Sequence, residues 1–273
     1  IAEYYGPRSP MMRCIDHPTM VKDGSARGAL SGVSAAFLAA DGFTGAPALL
    51  AEAPEIAEYW VDLGTRWRIL EQYFKAYPVC RWAQPAVEAA IGLQRQFDVR
   101  PAMIVGITVA SFEAAVRLAC RAPATTEEAQ YSLPFPVAAA LVRGTIGADE
   151  VGRNGFADPE IQRLSNATAL EPCARYEQRF PEERRAHVTF RLADGRTITS
   201  EPAIARGNPE NPLTAEELTT KYRALAWPVL GEYRSSLIEA GVASLGEADA
   251  EFDGLMDDLI EPAEFFQPQH SAE

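Results

Sequence analysis

Within ten residues the chain gathers two cations, a phenol, a thiol and a carboxamide: Lys75, Tyr77, Cys80, Arg81 and Gln84. Such a set suits anions. A guanidinium presents a planar fork that matches a carboxylate, and a lysine acts as a point charge or a proton carrier. Tyr77 can donate to a substrate oxygen. Pro78 keeps the segment from dissolving into a helix, because it lacks an N–H and biases Tyr77 toward extended geometry. Two solvated charges beside a bend, or a plain domain hinge, fit the same spacing.

Further candidates lie elsewhere. Lys22 precedes a segment of small residues, where its ammonium can meet a ligand near a helix N-terminus; an ordinary loop lysine is the alternative. Tyr131 and Ser132 sit at a helix break, where hydroxyls can face a cleft or serve as packing and capping groups. Cys80 has no adjacent histidine, so a buried thiol is expected rather than a nucleophile. His17, His187 and His270 are scattered, as are Cys14, Cys80, Cys120 and Cys173, and no CxxC pair occurs. No metal site is therefore expected. Neither a glycine-rich phosphate loop nor a GxSxG elbow is present. The residues alone lead to an anion-binding cleft between two domains.

Composition narrows the partners. The 273 residues are 47% apolar, enough for a sizeable core. A net charge of −13, from 25 Lys and Arg against 38 Asp and Glu, argues against nucleic acid or an anionic membrane. Cations that hold an acidic substrate must then be gathered locally. No apolar run approaches the ~20 residues of a membrane span. A reduced, soluble, cytoplasmic protein is expected. Ile1 to Tyr5 reads like the last turn of a helix, which suggests a chain beginning inside a larger fold.

The elements that must position these residues follow from periodicity. Pro7 to Asp23 reads as a packed loop anchored by Met11, Met12 and Met20. Ala26 to Ala40 reads as a buried central helix, capped by Ser25 or Asp23 and ended at Asp41-Gly42. Short helical pieces follow at 47–58 and 67–74. Ala86–Gln96 is predicted helical, Ala102–Ala110 a strand and Phe112–Cys120 a helix. Thr125 opens a short helix, Val137–Arg143 and Asp158–Leu164 are helical, and Leu170–Tyr176 is extended. Asp194-Gly195 joins His187–Leu192 to Arg196–Ser200 in a tight hairpin. Helices are expected at Thr214–Leu225, Pro228–Ala240 and Ala248–Leu259, then a polar tail from Pro262. The fold class is α+β and mainly helical. A helical domain, 1–72 with 206–273, carries an inserted, lid-like α+β domain, 73–205.

Several stretches resemble the MmgE/PrpD family, which includes 2-methylcitrate dehydratases, cis-aconitate decarboxylases and an iminodisuccinate epimerase. They are Pro18 to Gly24 with the small-residue helix after it, Gly42 to Gly45, and the Lys-X-Tyr-Pro-X-Cys-Arg run at 75–81. Tyr131 to Phe135, Gly207 to Thr214 and Lys221 complete the order of motifs. The resemblance implies chemistry on a di- or tricarboxylate without metal or cofactor, in a cleft between the domains of a homodimer. Relatives are longer at the N-terminus, which raises a separate N-terminal chain as a partner.

Lys22 and Lys75 match lysines at the relatives' site. The expected chemistry is α-proton abstraction, with dehydration, decarboxylation or epimerisation. The expected catalytic groups are Lys22, Lys75 and Tyr131, and Tyr77, Cys80, Arg81, Gln84 and Ser132 are expected to bind substrate. This chain departs from the pattern at Gln84, where such sequences often have histidine, at Cys80, where the decarboxylase branch has histidine, and at Phe135, where some members have tyrosine. Those departures motivate a second expectation, a non-catalytic or fragmentary member that only binds an anion. An unrelated helical scaffold is a third.

Overall fold

The computed structural model describes residues 1–262 apart from Asp23, Asp249 and Glu251. The chain divides into two units, Ile1–Pro212 and Leu213–Glu273. In the first, the small residues form helix α1 (Ser25–Ala40), followed by Gly42 at φ 86°. The helix is not the buried central element that its composition suggests. Only Ala35 is buried, and a Cβ added at Gly28 or Gly32 would meet nothing within 4 Å. Small residues permit close approach but do not compel it. The short Ala2–Tyr5 helix packs on α1. Its N-cap is Gly24, without a side-chain cap, and Asp23 lies outside the described residues.

The loop before α1 also differs from expectation. It contains a helical turn, Met12–Asp16, whose anchor is buried Ile15; Met11 and Met20 are exposed, and Met12 alone of the three methionines packs on the core. Short helical turns at Leu49–Glu52, Pro54–Tyr59 and Arg68–Glu71 lead to the lysine loop.

Beyond that loop come helix α2 (Gln84–Gln96), strand β1 (Ile104–Ser111), α3 (Thr126–Gln130) and α4 (Pro134–Arg143). Helix α5 (Pro159–Asn166) then leads into β2 (Thr168–Pro172), and β3 (Ala186–Leu192) turns into β4 (Thr197–Thr199). Thr125 caps α3 by accepting from the Glu128 N–H at 3.2 Å, and Asp158 caps α5. The span 112–120 is helical only at Glu113–Val116, and the Leu118 carbonyl instead accepts from the Leu133 N–H at 2.8 Å. The stretch expected as one strand at 170–176 divides instead. Pro172 ends β2, and Ala174–Glu177 is a helical turn.

The sheet order is β2-β1-β3-β4, with β1 and β2 parallel and the other pairs antiparallel. Gly195, at φ 87°, makes the β3–β4 turn. Ile107 opposite Phe190 and Val109 opposite Val188 face inward and are buried. On the other face Thr108, Thr189 and Thr199 align across three strands. That alternation is what a sheet covered on one side requires. Helices α2, α4 and α5 supply the cover, with Ile91, Leu93, Val137, Leu141, Ile161 and Leu164 in the shared core.

In the second unit, α6 (Ala215–Leu230), α7 (Glu232–Ser244) and α8 (Phe252–Ile260) pack in sequence. Thr214 and Glu217 form a capping box on α6. Gly241 lets α7 approach α8, since an added Cβ would lie 3.0 Å from Leu255 Cδ1. Most of the tail expected from Pro262 lies outside the described residues. The architecture is α+β and mainly helical. Among the described residues no helix is long and apolar enough to cross a membrane.

Candidate active site

The lysine loop is held from three directions. At its entry the Phe74 N–H donates to the Gly207 carbonyl at 2.9 Å. At its exit the Cys80 N–H donates to the Gln130 carbonyl, at the end of α3, at 2.7 Å. From beneath, Gln84 Nε2 donates to the carbonyls of Tyr77 and Val79, each at 3.2 Å. Gln84 is 1% exposed. Its carboxamide is a brace for the loop. Tyr77 is also buried, and its hydroxyl donates to Glu88 Oε1 at 2.8 Å. Burial, reinforced by the Glu88 charge, pushes the Tyr77 phenol far up, and burial likewise raises the Glu88 carboxyl.

Two polar groupings flank this loop. One joins Lys22 to the end of α3. Lys22 Nζ donates to Gln130 Oε1 at 3.0 Å and lies 4.7 Å from the centre of the Tyr131 ring. An ammonium over a ring face is attracted by the ring quadrupole. The Lys22 carbonyl accepts from Cys14 Sγ at 3.1 Å, which ties the lysine to the turn behind it. Ser132 is fully buried; its hydroxyl donates to the Cys120 carbonyl at 2.6 Å and accepts from the Phe135 N–H at 3.0 Å. It starts α4.

The second grouping surrounds Arg81. Its guanidinium stacks 3.8 Å from the Tyr73 ring centre and donates from Nη2 to Asn208 Oδ1 at 2.7 Å. Arg184, from the turn before β3, is its cationic neighbour. Burial and the Arg81 charge lower the Arg184 pKa from its usual value. The Nε atoms of both arginines are buried without a hydrogen-bond partner. A buried donor left unpaired costs about 1–3 kcal/mol. Between the groupings lies Cys80, whose thiol is raised by burial against the opposing pull of the Trp82 and Ala83 N–H groups and of Lys75 and Arg184. A raised thiol stays protonated, so Cys80 is no ready nucleophile.

Of the residues nominated from sequence, Lys22, Tyr131 and the Cys80 backbone meet at the end of α3, where Gln130, not nominated, joins Lys22 to Cys80, and Lys75 acts on the Cys80 thiol. Gln84, Ser132 and Tyr77 direct their polar atoms into the fold. His17 is exposed, His187 Nδ1 meets the Tyr176 hydroxyl at 2.9 Å on β3, and His270 lies outside the described residues. Among the described residues no three His, Cys, Asp or Glu side chains cluster as metal ligands would. A separate cavity of about 530 Å³ beside the Arg143–Asp158 ion pair contains none of the nominated groups. Sequence reasoning missed Arg184 and Asn208. Arg184 stands in a short charge run, two acids followed by two bases at Glu182-Glu183-Arg184-Arg185, that gives no local signal.

The fold and site define a mainly helical α+β protein with cations gathered on a braced loop. Residues 77–246 match the MmgE/PrpD C-terminal domain, more than half of the chain, and the chain belongs to the MmgE/PrpD family. The match includes Arg81, Tyr131 and Arg184, while Lys22 and Lys75 precede it. Comparison with curated proteins gave no match.

Proposed function

We propose that the protein is a cofactor-independent lyase acting on a di- or tricarboxylate. The reaction removes a proton α to a carboxylate and then expels a β-hydroxyl as water, the electron pair forming the alkene. In the decarboxylating alternative the carbanion is reprotonated and CO₂ leaves, the electron pair left behind taking a second proton. Removing the α-proton places charge on the carboxylate oxygens, and preorganised cations stabilise charge where it develops. In this reading Lys75 carries the proton, Lys22 neutralises the carboxylate charge, and the Tyr131 hydroxyl serves the departing or returning oxygen. The observation that carries it is the convergence of distant segments: Lys22 Nζ sits 3.0 Å from Gln130 Oε1 and 4.7 Å from the Tyr131 ring, and Gln130 holds the Cys80 N–H. Membership of the family supports an enzyme of this type. Reprotonation at the same carbon would make it an epimerase.

A second reading has its own support. Gln84 and Ser132 are engaged inside the fold, which fits a family member that binds an anion without turning it over. A turnover screen separates the two. The complete protein is incubated with di- and tricarboxylates and followed by proton NMR for a new alkene or a lost carboxyl group. Turnover of one acid, reduced at least 100-fold in Lys75→Ala, supports the lyase. Saturable binding without turnover supports the second reading.

The same proposal has residues 1–72 and 206–273 forming one helical domain around the α+β part, in a homodimer. Exposed Tyr5, Phe37, Leu49, Trp67 and Leu70 are apolar surface that an assembly would cover. Light scattering across a dilution series checks the dimer.

A further inference from the structure

The Arg81–Arg184 pair is an arrangement that the protein does not complete by itself. Two guanidinium groups feel each other's charge, and burial makes that repulsion costlier. Each has a buried Nε without an acceptor. The partner of Arg81 is a neutral carboxamide, Asn208. Both arginines line a cavity of about 230 Å³. Arg185 lines it too, and two of the three lining carboxylates already accept from groups on the lining itself or beside it. Glu183 accepts from Arg179 at 2.7 Å and Arg185 at 2.6 Å, and Glu210 accepts from the Asn208 amide at 2.9 Å. Glu182 alone among the lining carboxylates is felt by Arg184, as a minor opposing influence.

What is missing is a planar anion with two acceptor oxygens, the shape a guanidinium fork matches. The link to the lysine loop is Cys80, whose thiol is influenced by both Lys75 and Arg184. One molecule with two separated carboxylates can reach both sides of that thiol. We propose that Arg81 and Arg184 together clamp one carboxylate of the polycarboxylate substrate, with Arg184 a binding residue that selects di- and tricarboxylates over monocarboxylates. The assignment rests on the function proposed above and adds the arginine pair to it.

The test uses the full chain labelled with ¹⁵N-arginine and reads the Nε–Hε resonances, assigned with Arg81→Gln and Arg184→Gln. The probes are citrate, acetate and sulfate. Citrate is expected to shift the Nε–Hε signals of both arginines, and Arg184→Gln to weaken citrate at least tenfold. Arg184→Lys restores part of the affinity, because charge returns without the fork. Glu182→Gln, which removes a competing carboxylate, tightens citrate several-fold and keeps the proposal testable if Arg184 variants do not fold.

Acetate is expected to bind at least tenfold more weakly than citrate. Unmoved Nε–Hε signals at saturating citrate overturn the clamp, as does a folded Arg184→Gln protein with unchanged affinity. Sulfate or acetate binding as tightly as citrate overturns its selectivity. If Arg184→Gln abolishes citrate binding while Lys75→Ala leaves α-proton exchange of the bound acid unchanged, the clamp stands and the lysine-centred function falls. If Lys75→Ala slows that exchange at least 100-fold and neither arginine responds to citrate, the function stands and the clamp falls. If citrate does not bind, both fall.

Discussion

Replacing Gln84 by alanine should loosen the lysine loop, and the size of the effect follows from its contacts. The Gln84 carboxamide donates to two carbonyls, those of Tyr77 and Val79, at 3.2 Å each. All three residues are buried, at 1%, 7% and 2% exposure, so water cannot replace the lost donor. A neutral buried hydrogen bond contributes about 1 kcal/mol net, so two give a loss of about 2 kcal/mol. In a chain of this size that corresponds to a fall in melting temperature of about 4–8 °C. Gln84→Glu is the sharper variant. Near neutral pH it would hold a carboxylate against two carbonyl oxygens, and burial would raise its pKa.

A raised carboxyl contributes stability that is full below the unfolded value and is lost as pH rises through the folded one. The Glu variant should therefore be less stable than the Ala variant near pH 7 and recover near pH 4, where the acid can donate one bond. Urea unfolding of both variants at the two pH values, followed by circular dichroism, measures this. A loss below about 0.5 kcal/mol for Gln84→Ala would refute the bracing argument. A Gln84→Glu deficit that does not shrink on acidification would do the same.

Three further outcomes follow from the same geometry. Ser132→Ala leaves the Cys120 carbonyl and the Phe135 N–H without their hydroxyl partner, and urea unfolding should show a loss of about 2 kcal/mol. Burial raises Glu88 above the ordinary 4.5, so its contribution to stability is lost as pH rises from 4.5 through the folded value. Glu88→Gln retains an acceptor for Tyr77 and should gain stability relative to the parent between about pH 4 and pH 7. Burial lowers His187 below 6.5, so stability falls as pH drops from 6.5 toward the folded value. His187→Gln should flatten the acid side of a plot of urea midpoint against pH, and an unchanged slope would contradict this assignment.

Elements whose reasons are local were legible in the sequence. The Asp194-Gly195 turn, the β-branched alternation of β1 and the cap at Thr125 each depend on a few adjacent residues. The small-residue helix was misread because close packing depends on a neighbour that composition does not supply. In the site, the lysine, proline and arginine of the loop could be seen as one cluster. The pairing of Lys22 with Tyr131, and of Arg81 with Arg184 and Asn208, is a tertiary property that no spacing reveals. Gln84 illustrates the same limit in reverse. A polar side chain beside cations looks like a ligand group until its burial and its two carbonyl partners are known.

The central claim is that the lysine loop abstracts a proton α to a carboxylate. Deuterium wash-in tests it most directly, because exchange reports the proton transfer whether water, CO₂ or neither is lost afterwards. The complete protein in D₂O, with each di- and tricarboxylate that it binds, should incorporate deuterium at the α-carbon of its substrate. Lys75→Ala should slow incorporation at least 100-fold without changing the fold seen by circular dichroism. Undiminished incorporation in Lys75→Ala, or none in the parent protein with any bound acid, would contradict the account.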